Sequence, residues 1–101
     1  MGYVKSTNED QVDRAVFKYV FHTGVAKQAF QIPIGGWVKA FGVTKVGGIP
    51  HPAFWVEVDP DAGEESRTFQ IVSTGERFTV LSTYYGTMQI GAFVFHLYEV
   101  F

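Results

Sequence analysis

The stretch that decides the fold class runs from Tyr84 to Glu99: Tyr-Tyr-Gly-Thr-Met-Gln-Ile-Gly-Ala-Phe-Val-Phe-His-Leu-Tyr-Glu. β-Branched and aromatic residues dominate it, and Gly91 lies near its middle. This pattern is typical of two antiparallel strands joined by a short turn. It predicts a closing hairpin made of residues 83–90 and 92–100.

The rest of the chain repeats this character in shorter segments separated by glycine- and proline-containing turns. Strand-like segments cover residues 16–21, 27–32, 37–46, 53–59 and 68–74, and a short sixth covers 77–81. Long helical periodicity is absent. The sequence therefore predicts an all-β fold, either a small antiparallel β-sandwich or a partly open barrel of about six to seven strands.

The length of 101 residues favours one domain. Residues 1–14 are polar and are expected to be loose, with a short helical turn starting at Thr7, and residues 15–101 are expected to form a single β domain. The N-terminus lacks the apolar region of a signal peptide. No segment approaches the roughly 20 apolar residues that cross a bilayer. We therefore expect a cytoplasmic protein with no membrane partner.

The composition limits the classes of function. Hydrophobic residues make up 47% of the chain and aromatic residues 17%, so some aromatic side chains are expected at the surface or in a subunit interface. The formal net charge of −2 gives no basic footprint for long nucleic acid. Cysteine is absent, which excludes disulfides and cysteine-ligated metals. No cofactor is expected.

The last predicted strand is apolar on both faces. Phe93, Phe95, Leu97 and Phe101 point one way, while Val94, His96, Tyr98 and Val100 point the other. Such a strand is either central in a sandwich or covered by another chain. We expect a homo-oligomer, with a two-fold dimer favoured and Tyr98 and Phe101 as its interface residues.

One strand alternates aromatic and cationic residues and suggests a ligand site. Its predicted face carries Trp37, Lys39 and Phe41, and Trp55 lies on the next strand. Indole rings that stack on a base, with Lys39 and Arg67 for phosphate, would suit a small nucleotide. The candidate ligand-binding residues are therefore Trp37, Lys39, Trp55 and Arg67. Lysine stems lying over an ordinary sheet surface would give the same pattern.

Catalytic and metal motifs are absent from the sequence. His22, His51 and His96 do not fall at metal-ligand spacing, and we expect no metal site. His96 is expected to face the interior and to bond a neighbouring strand. Glu57 and Asp59 share a predicted face with Trp55, which a solvated sheet surface explains better than a glycosidase site. No Gly-x-Ser-x-Gly motif occurs. A non-enzyme is expected, with a histidine-metal hydrolase or isomerase as a rival.

From Phe17 to Glu99 the chain resembles a family of small uncharacterised all-β proteins common in bacteriophages and prophages. The matching stretches are Phe17-Lys-Tyr, Gln31-Ile-Pro-Ile-Gly, Phe54-Trp-Val-Glu-Val-Asp-Pro, Arg67-Thr-Phe-Gln-Ile-Val-Ser-Thr-Gly, Tyr85-Gly-Thr-Met-Gln and Phe93-Val-Phe-His-Leu-Tyr-Glu. The chain departs from that pattern at Tyr84-Tyr85, where the family usually has an aliphatic residue, and at its shorter turn near Gly91. The resemblance implies a phage or prophage origin and assigns no activity, so it carries over no functional residue.

The sequence leads us to expect one of two functions, which belong to different classes of protein. The first is a non-enzymatic, phage-encoded binding protein that inhibits a host defence system by stoichiometric binding of a host protein or a small signalling nucleotide. The second is a structural or assembly protein of the phage particle, which the apolar last strand would suit.

Overall fold

The computed structural model describes residues 13–78 and 81–101. They form seven strands, namely β1 Ala15–Val20, β2 Lys27–Pro33, β3 Trp37–Val46, β4 Ile49–Val58, β5 Glu64–Ser73, β6 Ser82–Ile90 and β7 Phe93–Val100. No helix occurs among these residues, so the all-β prediction is confirmed. The helical turn predicted at Thr7 lies outside them.

The strands pair antiparallel in two sheets. Sheet A has three strands in the order β1-β4-β3, and sheet B has four in the order β2-β5-β7-β6. The sheets pack face to face as a small β-sandwich and not as a closed barrel. Strand β7 is central in sheet B, which explains why it is apolar on both faces.

The predicted strand limits hold to within one residue except at three places. Strand β5 begins at Glu64 rather than at residue 68, because residues 64–67 already pair with β2. The closing hairpin is confirmed as β6 and β7 around Gly91. Strand β4 begins at Ile49 rather than at residue 53. Its first residues pair with β3 alone, and a strand tolerates prolines at positions where its other edge has no partner strand. The short strand predicted over 77–81 does not appear at Arg77, Phe78 or Leu81, and residues 79–80 lie outside the described part of the chain.

Phenylalanine rings form the centre of the core. Phe54 contacts Phe69 with a ring-centroid distance of 4.4 Å and Phe30 with one of 5.0 Å, and Phe21 packs against Phe30 at 5.1 Å. Fully buried aliphatic side chains fill the space around these rings, namely Ile32, Val56, Val58 and Leu97. Burying each such side chain contributes roughly 1.5–3 kcal/mol, so this cluster is the main apolar source of stability.

A β-bulge in β3 changes which side chains face the core. The pairing register shifts between Val38 and Ala40, so that Trp37 lies opposite Glu57 while Phe41 lies opposite the buried Phe54. An extra residue reverses the alternation of side chains. The prediction that Trp37 and Phe41 share a face is therefore wrong, because Phe41 packs on the core and Trp37 lies outside.

Gly42, in the middle of β3, lies close to a side chain of the neighbouring strand, as a glycine inside a strand often does. A Cβ atom on Gly42 would lie 3.4 Å from the Trp55 ring. The bulge itself is at Lys39, and β6 has a second one between Tyr84 and Gly86.

The two bulged strands are also where the sheets come together. A Cβ atom on Gly86 of β6 would lie 3.4 Å from Cβ of Phe41 on β3. Bulges bend a strand, which suits the corner of a sandwich. Among the described residues, no helix has the length and apolarity that crossing a membrane requires.

Candidate functional site

The outer surface of sheet A brings both tryptophans onto one face. Val16, Glu57 and Trp37 form one row across β1, β4 and β3, and Lys18, Trp55 and Ala40 form the next. Residues directly opposite each other on paired strands share a face. We call this surface the tryptophan face, made of Val16, Lys18, Trp37, Lys39, Trp55 and Glu57.

Trp37 and Lys39 act as a unit on this face. The Lys39 ammonium lies 4.4 Å from the centroid of the Trp37 ring and 3.6 Å from Glu57 Oε1. The cation is therefore held between an aromatic ring and a carboxylate. Trp37 is still 63% exposed, which is unusual for so large an apolar side chain. Three of the four predicted ligand residues thus lie on one surface.

Arg67, the fourth predicted ligand residue, lies elsewhere. Its guanidinium points into the sandwich and donates two hydrogen bonds of 2.8 Å to the Glu99 carboxylate. A third bond of 2.7 Å goes from Nη1 to the carbonyl oxygen of Gly36. Gly36 directly precedes Trp37, so the Arg67 guanidinium holds the start of β3 in place.

Glu99 has a second donor, since the Tyr85 hydroxyl donates to its Oε1 over 2.9 Å. Burial alone would raise the pKa of Glu99, but the hydrogen bonds from Arg67 and Tyr85 and the charge of Arg67 outweigh it, so this pKa is lowered. Burial and the Glu99 carboxylate raise the pKa of Tyr85. The same carboxylate raises the pKa of Arg67 through its hydrogen bond. These hydrogen bonds join the three side chains into one structural network beneath the start of β3.

The predicted interface residues lie at one end of sheet B. Tyr98 packs on its outer surface, with ring-centroid distances of 4.7 Å to Phe78 and 5.5 Å to Tyr84. Phe101 follows β7, and its backbone N–H donates to the Leu81 carbonyl oxygen over 2.9 Å. The side chains of Phe101 and Leu81 are 76% and 80% exposed, so this end presents an apolar patch.

His96 faces outward, because it alternates with Leu97, which is in the core. Its Nδ1 lies 2.8 Å from Thr87 Oγ1, and its Nε2 lies 2.8 Å from Thr74 Oγ1. The predicted bond to a neighbouring strand is present, since Thr87 is on β6. The predicted interior orientation is wrong.

The other two histidines meet at a cleft that the sequence did not reveal. This cleft, which we call the end cleft, has a volume of about 340 Å³. It lies between the β1–β2 loop, the start of β4, the end of β5 and the start of β7. It is lined by His22, Thr23, Gly24, Val25, Ala26, Ile49, Pro50, His51, Pro52, Ile71, Ser73, Glu76 and Phe95. The ends of four separate segments build it, which is why local spacing gives no signal.

The remaining acids of the sequence analysis occupy ordinary positions. Glu57 pairs with Lys39 and lies 4.0 Å from Nε of Arg14. Asp59 Oδ1 accepts a hydrogen bond of 3.0 Å from the backbone of Asp61 in the turn after β4. Within residues 13–78 and 81–101, no group of three or more potential metal ligands converges.

A family comparison accounts for the whole β domain. The profile of a domain of unknown function, DUF7352, matches residues 12–101. The chain belongs to the DUF7352 family. No curated protein and no solved structure matches the chain. The DUF7352 match begins just before β1 and includes all seven strands.

Two surfaces of this DUF7352 chain are suited to contacts with other molecules. The tryptophan face offers exposed aromatic area on a regular sheet, and the end cleft offers an open depression with mostly apolar walls. Both arrangements favour binding.

Proposed function

We propose that this DUF7352 protein is a non-enzymatic binding protein, encoded by a bacteriophage or prophage, that acts in the cytoplasm of the infected bacterium. It inhibits a host defence system by stoichiometric binding of a host protein through the tryptophan face. The phage origin rests on the resemblance of residues 17–99. The observation that carries the binding role is the 63% exposure of Trp37 on a face stiffened by the Lys39–Glu57 pair.

An exposed tryptophan on a regular sheet has the properties of an interface anchor. Tryptophan and tyrosine are enriched among the residues that dominate binding energy, because they bury much area at low cost in conformational entropy. The Lys39 contact already limits the freedom of the Trp37 ring. Less ordering is then required when a partner covers the ring, which favours affinity.

A protein target fits this face better than a small nucleotide. Nucleotide binding through the four predicted residues needs the Arg67 guanidinium for phosphate, and that group is engaged by Glu99 and Gly36. Glu57 adds a negative charge beside Lys39, 3.6 Å from its ammonium. A carboxylate in that position repels a phosphate but forms ion pairs readily with a protein partner.

The test compares two exposed aromatic residues on opposite sheets. Trp37→Ala removes the proposed anchor, and Phe93→Ala is the matched control because Phe93 is 69% exposed on sheet B. The tagged chain is used to capture a host protein, and the purified pair is then titrated by calorimetry. We expect one-to-one binding that Trp37→Ala weakens by about 30-fold or more, while Phe93→Ala stays within about twofold.

Either of two results would replace this proposal. Equal affinity of wild type and Trp37→Ala would show that the face is not the binding surface. Quenching of tryptophan fluorescence by mono-, di- or cyclic nucleotides, lost in Trp37→Ala, would make a nucleotide the target.

A structural or assembly role in the phage particle is the second candidate. It is favoured by the apolar patch of Leu81 and Phe101 at the end of sheet B. Mass spectrometry of purified particles separates the two candidates, since an assembly protein is present there in fixed copy number and an inhibitor is absent.

A further inference from the structure

The end cleft has apolar walls and a buried floor. Ile71, which is 7% exposed, and the half-buried Phe95 lie at its base, and the exposed side chains of Val25 and Ile49 lie at its rim. Its volume of about 340 Å³ is at the lower end of the range for small-molecule sites. The cleft is on the opposite end of the sandwich from the β4–β5 turn, and no residue of the tryptophan face lines it.

His51 contributes a hydrogen-bond acceptor to this cleft. Its Nδ1 lies 3.3 Å from the carbonyl oxygen of Phe21. A carbonyl oxygen only accepts, so Nδ1 must carry the proton in this contact. In the neutral ring Nε2 is then the unprotonated nitrogen, and it has no hydrogen-bond partner among the described residues.

Glu76 contributes a second acceptor and a full negative charge. Its Oε1 accepts a hydrogen bond of 2.9 Å from the backbone N–H of Ser73, which fixes the side chain beside the cleft. Within residues 13–78 and 81–101, its other oxygen takes part in no hydrogen bond or ion pair. Among the residues that the structure describes, no lysine or arginine lines the cleft.

We infer that the end cleft binds a small primary amine with an apolar body, of the size of an arylethylamine. The apolar body fills the space over Ile71 and Phe95, and the ammonium group donates to Glu76. The reason is charge complementarity, because the cleft combines apolar walls with acceptors and one carboxylate. An anionic ligand of the same shape would meet the Glu76 carboxylate, and the described lining offers no lysine or arginine to offset that charge.

The test uses three ligands that share one apolar body and differ in charge. They are 2-phenylethylamine, 2-phenylethanol and phenylacetate, each titrated into the full chain at neutral pH and followed by NMR of backbone amides. We expect the amine to bind about tenfold more tightly than the alcohol and phenylacetate to bind most weakly. Amide signals of Val25, Ala26 and Phe95 should move, and that of Trp37 should not.

Two substitutions test the contributions of the Glu76 charge and of the apolar walls to binding separately. Glu76→Gln keeps the shape and should lower the affinity for the amine about tenfold while leaving the alcohol unchanged. Asp61→Asn is the matched control, since it removes an exposed carboxylate at the other end of the sandwich and should change nothing. Val25→Trp fills the rim and should abolish binding of both the amine and the alcohol.

Three outcomes would overturn the inference. They are equal affinity for the amine and the alcohol, an amine preference that survives in Glu76→Gln, and no shift at millimolar amine. Thermal melting of each variant shows whether it is folded, and Val25→Trp provides an independent test if Glu76→Gln is not.

Discussion

Arg67 on β5 and Glu99 on β7 form two parallel hydrogen bonds of 2.8 Å where only 13% and 7% of their side chains are exposed. The pair does not stand alone, because Arg67 also bonds Gly36 before β3 and Glu99 accepts from Tyr85 on β6. This ion pair therefore links β5, β6 and β7 of sheet B to the residue that precedes β3 of sheet A. Such a pair is expensive to bury, so its value depends on every partner being present.

Removing one partner of this pair should destabilise the fold strongly. Glu99→Ala leaves the Arg67 guanidinium buried without its counter-ion, which typically costs about 3–5 kcal/mol. That is a large share of the roughly 5–15 kcal/mol of a domain this size. Urea unfolding followed by circular dichroism measures the change.

The control replaces both charges. The double variant Arg67→Met with Glu99→Leu should be much closer to wild type than Glu99→Ala, because no unpaired charge is left inside. A double variant as unstable as the single one would show that the charges themselves hold the strands together.

Acid should weaken the protein through Glu99. Its pKa is lowered in the folded state, so the unfolded chain binds more protons below about the ordinary value of 4.5. The stabilisation from Glu99 is therefore complete above that pH and is lost as the pH falls through the folded-state pKa. Free energies of unfolding measured from pH 7 to pH 3 should fall less steeply in Glu99→Gln than in wild type. If the unfolding free energies of Glu99→Gln and wild type fell equally steeply with pH, the acid sensitivity would belong to other carboxylates.

Gly36 should tolerate no larger residue. A Cβ atom there would lie 2.9 Å from Ile32 Cγ2 and 2.9 Å from Val56 Cγ1, and both side chains are fully buried. We expect Gly36→Ala to destabilise the fold by about 1–3 kcal/mol through overpacking. Gly63→Ala is the control, since its added atom would meet only Ile34 at an ordinary 3.9 Å and should change stability by less than about 0.5 kcal/mol. Similar melting temperatures for the two variants would contradict the packing described above.

Self-association should depend on the end of sheet B that carries Tyr98 and Phe101. We expect a two-fold dimer with about twice the chain mass of 11.3 kDa, measured by light scattering at micromolar concentration. Phe101→Glu or Tyr98→Lys should weaken it, because a charge desolvated in the interface has no partner. Phe93→Glu, at the other end of β7, should leave the mass unchanged. A wild-type mass of a single chain would remove this expectation.

The sequence predicted much of the fold because strands and turns are local signals. Period-two apolarity around Gly91 located the closing hairpin, and the alternation of Phe54, Val56 and Val58 with Trp55 and Glu57 identified the two faces of β4. These patterns involve residues that are close together in sequence, so they can be recognised in one amino-acid sequence without knowledge of the fold.

The candidate sites were only partly predictable, because they depend on register and on distant segments. Trp37, Lys39 and Trp55 do share a face, but Arg67 does not. A usable signal for Arg67 was present: it lies two and four residues before the core residues Phe69 and Ile71. Glu99 likewise lies two residues after Leu97, so both charges share the core-facing side of their strands. Opposite charges in core-facing positions of two strands indicate a buried ion pair. No such signal links His22 to His51, which meet only after folding.

The bulge at Lys39 decides which positions of β3 evolution can vary without cost to the core. Upstream of it Trp37 contacts solvent, and downstream Phe41 packs on the core. Substitutions that retune recognition can therefore accumulate at Trp37 without disturbing the hydrophobic interior, whereas the adjacent Val38 is part of the core. Deleting Lys39 would remove the bulge. The one-residue slip would then move every side chain on one side of the deletion to the opposite face of the sheet.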